Sequence, residues 1–313
     1  MGSKELVAFR AGAAVASWLP VGAVSAIGRG GGGFVGLLPD YDGRRAVVAS
    51  HMTRAVGRPL GRVEARRMVA GVFANYGRYW AVNLKIPSMS REEVAAGIDT
   101  VGREHLDAAL AKGHGVVLAP PHLGDWELGA HYLTGTGLAV TVAVEPLRPP
   151  EVFRWFLSFR ERLGMHVVAV GPGAAGAILR ALKQNHVVCL LSDRLVGKAA
   201  GIEVEFFGEK AMMPAGPVTL AARSGAPLIP AAIYNKAGGA HTIVFRPPLD
   251  LGGGGRTRDL VPEGTQALAR ELEALVRRAP TQWHLVQPNW PSDPEVRRRR
   301  RPWTAPGTVA EAG

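Results

Sequence analysis

Gly115-Val116-Val117-Leu118-Ala119-Pro120-Pro121-His122-Leu123-Gly124-Asp125-Trp126-Glu127-Leu128-Gly129 is the stretch on which the fold turns. An unbroken apolar run, rich in β-branched residues, reads as a strand covered on both faces. Two consecutive prolines end it, because neither can donate to a ladder. A helical pattern starts near Gly124 or Asp125. Strand, polar loop and helix together make an α/β unit, and the loop lies where open α/β sheets carry their sites, beyond the carboxyl ends of the strands.

The same alternation continues downstream. Strands are predicted at residues 115–119, 139–144, 166–170, 187–191, 203–207, 227–233 and 242–246. Helices are predicted at 150–163, 174–183, 217–223 and 265–278. The fold class is therefore α/β, a central mixed β-sheet flanked by helices. Upstream, residues 62–84 show a helical apolar face through Met68, Val72, Tyr76 and Tyr79. The glycine runs at 30–33 and 252–255 read as loops. Three regions follow: a helical, membrane-proximal region (1–100), an α/β core (101–292), and a basic, disordered C-terminal tail (293–313).

Composition narrows the function. The 313 residues are 47% hydrophobic, enough for a sizeable core. The single cysteine, Cys189, sits in the apolar run Val187-Val188-Cys189-Leu190-Leu191 and reads as a core thiol, which excludes a disulfide framework. The net charge of +11, with an arginine run at 297–301, points to phosphate-bearing partners or an anionic membrane surface. Aromatic residues are only 7% and are not interleaved with the basic run, which argues against nucleic acid. The charge-free run 11–27 is shorter than the roughly 20 residues of a membrane span. It contains Pro20 and reads as an interfacial or core-packed helix, with Trp18 at headgroup level.

One motif invites a different reading. Gly171-Pro172-Gly173-Ala174-Ala175-Gly176 follows a strand and opens a helix, and Asp193 closes the next strand. That is the pattern of a dinucleotide site with a ribose-binding acid. It stands in mid-chain, after at least two strands, so a glycine-rich turn is the favoured reading.

The chemistry concentrates at His122. A histidine near a helix N-terminus is held neutral, as a general base requires, and an acid on its other ring nitrogen selects the tautomer. Helical spacing would give that role to Asp125 at i+3. If His122 precedes the helix, Asp125 or Glu127 reaches it equally. A metal site of His122, Asp125, Glu127 and His131 matches no zinc-protease spacing.

His-x4-Glu after a strand, here His122 and Glu127, resembles the motif of glycerolipid-type acyltransferases. Further segments extend the resemblance: Ala74-Asn75-Tyr76-Gly77-Arg78-Tyr79-Trp80, Glu145-Pro146-Leu147-Arg148-Pro149, Phe159-Arg160-Glu161-Arg162-Leu163-Gly164, Ser192-Asp193-Arg194, and Trp283-His284-Leu285-Val286-Gln287-Pro288. In this order they resemble the phosphatidylinositol mannoside acyltransferases, relatives of the lipid A acyltransferases, over residues 5 to 292. The resemblance implies a glycerolipid-acyltransferase-like fold with a hydrophobic tunnel, and a peripheral enzyme on the cytoplasmic face of the cell membrane; a monomer is expected. It implies acyl-CoA as co-substrate, a glycolipid acceptor and no cofactor or metal. Acyl carrier protein is the alternative donor. By motif, His122 would be the base, Glu127 its partner and Asp193 a further catalytic carboxylate. Glu145, Arg160, Arg194, Asp125 and Trp126 would bind substrate.

Overall fold

The computed structural model describes residues 2–146, 150–195, 200–252 and 257–294. The arginine run 297–301, nearly all of the C-terminal tail and most of the glycine loop 252–255 lie outside them. At the centre is a seven-stranded sheet in the order β1-β9-β8-β2-β5-β3-β4. The strands are β1 (Ile98–Val101), β2 (Val116–Ala119), β3 (Val140–Val144), β4 (Met165–Ala169), β5 (Val187–Cys189), β8 (Leu228–Asn235) and β9 (His241–Phe245). Neighbours pair in parallel except β8 and β9, so the sheet is mixed as predicted. A separate antiparallel hairpin joins β6 (Gly201–Phe206) and β7 (Glu209–Pro214).

The strand β2 shows why its sequence is continuously apolar. All four residues are buried, Val117 and Ala119 in one core and Val116 and Leu118 in the other. The first core packs against α3 (Asp42–Val56), α9 (Ala174–Lys183), α10 (Gly216–Ser224), α11 (Thr257–Arg278) and the hairpin. The second packs against α5 (Arg91–Ala96), α6 (Arg103–Leu110), α7 (Trp126–Gly135) and α8 (Pro150–Arg162). Helix α4 (Arg62–Lys85) serves both, through Val69, Val72 and Phe73 at one end and Val82 at the other.

The N-terminal region differs from its reading. Pro20 divides the charge-free run between α1 (Gly2–Trp18) and α2 (Val21–Leu37), and the glycine run 30–33 is helix, not loop. The cause is tertiary. Gly28, Gly32 and Gly36 line the face of α2 that meets α4, and a Cβ on Gly32 would lie 2.2 Å from the Phe73 carbonyl oxygen. Only glycine lets the two backbones approach this closely. Strands β1 and β7 also escaped prediction; β1 lies across the end of the stretch read as helical.

Candidate active site

His122 stands just beyond the carboxyl end of β2, and Asp193 beyond that of the adjacent strand β5. The loop between β2 and α7 is fixed by its backbone. Gly124 has a φ of +65°, and a Cβ there would lie 1.9 Å from the Ile233 carbonyl oxygen. The Gly124 N–H donates to the Gln282 carbonyl (3.0 Å), and the His284 N–H donates to the His122 carbonyl (2.8 Å). Leu123 and Trp283 form a β-bridge. The segment around residue 283 thus clamps the histidine loop from above.

The acid on His122 is Asp193. Nδ1 of His122 lies 2.6 Å from Asp193 Oδ1, while Asp193 Oδ2 accepts from the His122 N–H at 3.0 Å and from Trp283 Nε1 at 2.7 Å. Asp193 is fully buried, and burial pushes its carboxyl upward. The His122 ring and the hydrogen bonds outweigh this and hold it below the usual aspartate range. An ionised carboxylate only accepts, so Nδ1 carries the proton. In the neutral ring, Nε2 then keeps its lone pair free.

This corrects both expectations for the partner acid, Asp125 from helical spacing and Glu127 from the family motif. Helix α7 starts at Trp126, so His122 precedes it, and neither acid of the motif holds the imidazole. Glu127 is buried and grips Arg160, whose Nε lies 3.1 Å from both carboxylate oxygens. Asp125, fully buried at the head of α7, accepts from Arg78 (2.5 Å) and from His241 Nε2 (2.8 Å). This buried triad ties α4, α7 and β9 together. Arg78 lies in one of the motifs read from sequence, but His241 carried no local signal. Glu145 and Arg194 face each other at 3.7 Å, with burial pushing the Glu145 carboxyl up. Trp126 meets the His122 ring edge-to-face at 5.5 Å and stacks on Tyr79 at 4.1 Å.

These partners also bear on the two rival readings. The metal reading brought in His131, but its Nδ1 faces the Leu163 carbonyl at 3.1 Å. Among the described residues no cluster of His, Cys, Asp and Glu could hold a metal ion. The glycine motif 171–176 forms the turn from edge strand β4 into α9, while its supposed ribose acid, Asp193, is occupied by His122 and Trp283.

Two chambers meet beside His122. One is apolar and lies beneath α7 against the sheet, enclosing about 710 Å³ with its open mouth. It is lined by Leu118, Gly129, Leu133, Val142, Ala231 and Ile243. Cys189 is part of its wall, its thiol pushed up to about 12 by burial, which makes it inert. The other is a more polar cleft lined by His122, Glu145, Arg194, Tyr76, Trp80 and His284. Trp126, Val144, Arg160 and Leu191 belong to both walls.

The profile of bacterial lipid A biosynthesis acyltransferases matches residues 8–292. A phosphatidylinositol mannoside acyltransferase of Mycobacterium tuberculosis (strain H37Rv) is 35% identical over 254 residues, covering 80% of this chain and 78% of that protein. Its counterpart in Mycolicibacterium smegmatis is 33% identical, covering 80% and 81%. A lipid A biosynthesis acyltransferase of Haemophilus influenzae is 27% identical over 203 residues, 64% of this chain and 61% of that one. The profile spans nearly the whole sequence and the mycobacterial relatives cover four-fifths of it: the chain belongs to the bacterial lipid A biosynthesis acyltransferase family and is an acyltransferase.

Proposed function

We infer that the protein moves a long, palmitoyl-type acyl chain from acyl-CoA to a mannose hydroxyl of a phosphatidylinositol mannoside, with His122 as general base. The observation that carries this is the Asp193–His122 pair at the junction of an apolar chamber and a polar, aromatic-lined cleft. The mycobacterial relatives support the acceptor by their names. The apolar chamber takes the acyl chain, each buried methylene contributing ~0.8 kcal/mol. The cleft takes the sugar, whose faces suit Tyr76, Tyr79 and Trp80.

The reaction needs no enzyme nucleophile and no metal. His122 Nε2 takes the proton of the acceptor hydroxyl as its oxygen attacks the thioester carbonyl. The tetrahedral intermediate then collapses, the C–S bond breaks, and the proton passes from His122 to the departing thiolate. Asp193 stabilises the transient imidazolium. Arg160, held in an ion pair by Glu127, places guanidinium N–H donors at the wall shared by both chambers.

The enzyme works as a monomer on the cytoplasmic face of the cell membrane. Among the described residues no single helix is long and apolar enough to cross a bilayer. Helices α1 and α2 nevertheless expose Val7, Val15, Trp18, Ile27, Phe34 and Leu37, with Arg10 and Arg29 among them. Apolar residues interspersed with cations suit an anionic lipid surface. The test is His122→Ala, assayed with palmitoyl-CoA and palmitoyl-acyl carrier protein as alternative donors. Turnover should fall by at least ~10² with the fold retained. A variant within tenfold of wild type would remove His122 from the reaction.

A further inference from the structure

The cleft contains a second histidine that this reaction scheme leaves unused. His284 is only 5% exposed, and the residue belongs to the wall of the cleft that holds His122. Neither of its ring nitrogens has a hydrogen-bond partner, and both are buried. A buried imidazole with two empty hydrogen-bonding positions is costly, so it calls for an explanation. Packing alone does not supply one, since an apolar ring would fill the same space without the penalty.

The position of His284 is tightly set. Its main-chain N–H donates to the His122 carbonyl at 2.8 Å, beside the Leu123–Trp283 bridge. Its ring lies among those of Tyr76, Tyr79 and Trp126, with centroids 5.4–5.6 Å away. Burial pulls the group down to about 3, against the nearby Asp125 and Asp193 carboxylates, so the ring is neutral at physiological pH. A neutral imidazole carries one N–H. It cannot protonate a substrate effectively, but it can donate a directed hydrogen bond to oxygen that gains charge.

We propose that His284 is a catalytic residue that donates this N–H hydrogen bond to the thioester carbonyl oxygen and holds it as the tetrahedral oxyanion forms. No proton changes hands at His284. The electron pair of the C=O bond moves onto the oxygen as the acceptor attacks, and returns when the C–S bond breaks. The assignment rests on the acyltransfer reading above. It divides the labour between the two histidines: His122 handles the proton, and His284 the developing charge.

The test compares His284→Gln, which keeps an N–H donor, with His284→Met, which has similar length and none. Wild type and His122→Ala are assayed alongside with palmitoyl-CoA and phosphatidylinositol mannoside. The methionine variant should lose ~10²–10³ in kcat, with the Kd for palmitoyl-CoA unchanged within about threefold. The glutamine variant should recover at least tenfold of that loss. A methionine variant within threefold of wild type, or equal losses in both variants, overturns the proposal. A wild-type protein that transfers no acyl group would instead overturn the acyltransfer reading beneath it. If the methionine variant does not fold, the infrared carbonyl band of bound, carbonyl-labelled palmitoyl-CoA decides. A band below its position in apolar solvent, and moved by the glutamine substitution, supports the proposal. A band at the apolar-solvent position, or one that the substitution leaves unmoved, overturns it.

Discussion

Asp193→Asn tests the catalytic pair because the native carboxylate is surrounded by donors alone. Oδ1 faces His122 Nδ1 at 2.6 Å, and Oδ2 faces the His122 N–H and Trp283 Nε1 at 3.0 and 2.7 Å. A carboxamide has one accepting oxygen and one donating NH2, so one side must now mismatch. With its oxygen toward the His122 N–H and Trp283, it keeps two bonds and points NH2 at Nδ1. That forces the proton onto Nε2 and removes the base. The opposite orientation keeps the tautomer but sets NH2 against two N–H groups, at ~1–3 kcal/mol for each donor left unsatisfied. The first orientation is therefore favoured. In both, the charge that stabilises the imidazolium is gone. The expected loss in kcat is ~10³–10⁴, the scale seen when a triad aspartate is replaced by asparagine. The assay is initial-rate transfer from labelled palmitoyl-CoA, with 15N NMR of the histidines to read the tautomer. The wild type should protonate Nδ1 of His122 and the variant Nε2. A variant within tenfold of wild type in kcat, or one with the tautomer unchanged, would refute the reasoning.

Gly129→Leu should shorten the preferred acyl chain. The Cβ position at Gly129 makes only ordinary contacts with Ile233 and Ile243, at 3.5 and 3.8 Å, so the new side chain projects into the apolar chamber. Displacing about four methylenes at ~0.8 kcal/mol each should weaken palmitoyl-CoA by ~10² in kcat/KM while sparing eight- to ten-carbon donors. Gly32→Ala should destabilise by ~1–3 kcal/mol in denaturant melts, because its Cβ would meet the Phe73 carbonyl. Gly30→Ala, with nothing within 4 Å, should be neutral or stabilising by up to ~1 kcal/mol. Trp18, 89% exposed, should matter for membranes: Trp18→Asp should reduce co-sedimentation with anionic liposomes and leave turnover on detergent-dispersed substrate unchanged within threefold.

What sequence reading recovered and what it missed share a physical cause. Strand β2 was legible because both its faces are covered and two prolines close it. Helix α9 lies at the predicted residues 174–183, bounded by a glycine at its head. Strand β1 was not legible: Ile98-Asp99-Thr100-Val101 is short and half polar, and pairing with β9 makes it a strand. The glycines of α2 looked like a loop because glycine disfavours an isolated helix. Their reason for being there lies in another helix. The site divides in the same way. His122 announced itself by its place after an apolar strand. The acid that orients it is 71 residues away and reaches it only because β2 and β5 are neighbours. Helical spacing therefore pointed to Asp125 and the family motif to Glu127, carboxylates that pair instead with Arg78 and Arg160.

The most direct test of acyl transfer to a mannosylated phosphoinositide uses the purified wild-type protein, carboxyl-labelled palmitoyl-CoA and phosphatidylinositol mannoside in mixed micelles, with products read by mass spectrometry and thiol release followed in parallel. The expected result is one palmitoyl ester on a mannose hydroxyl for each free CoA released, with His122→Ala at least ~10² slower. Folded wild-type protein that leaves the glycolipid unacylated, or releases CoA only by hydrolysis, would contradict the account.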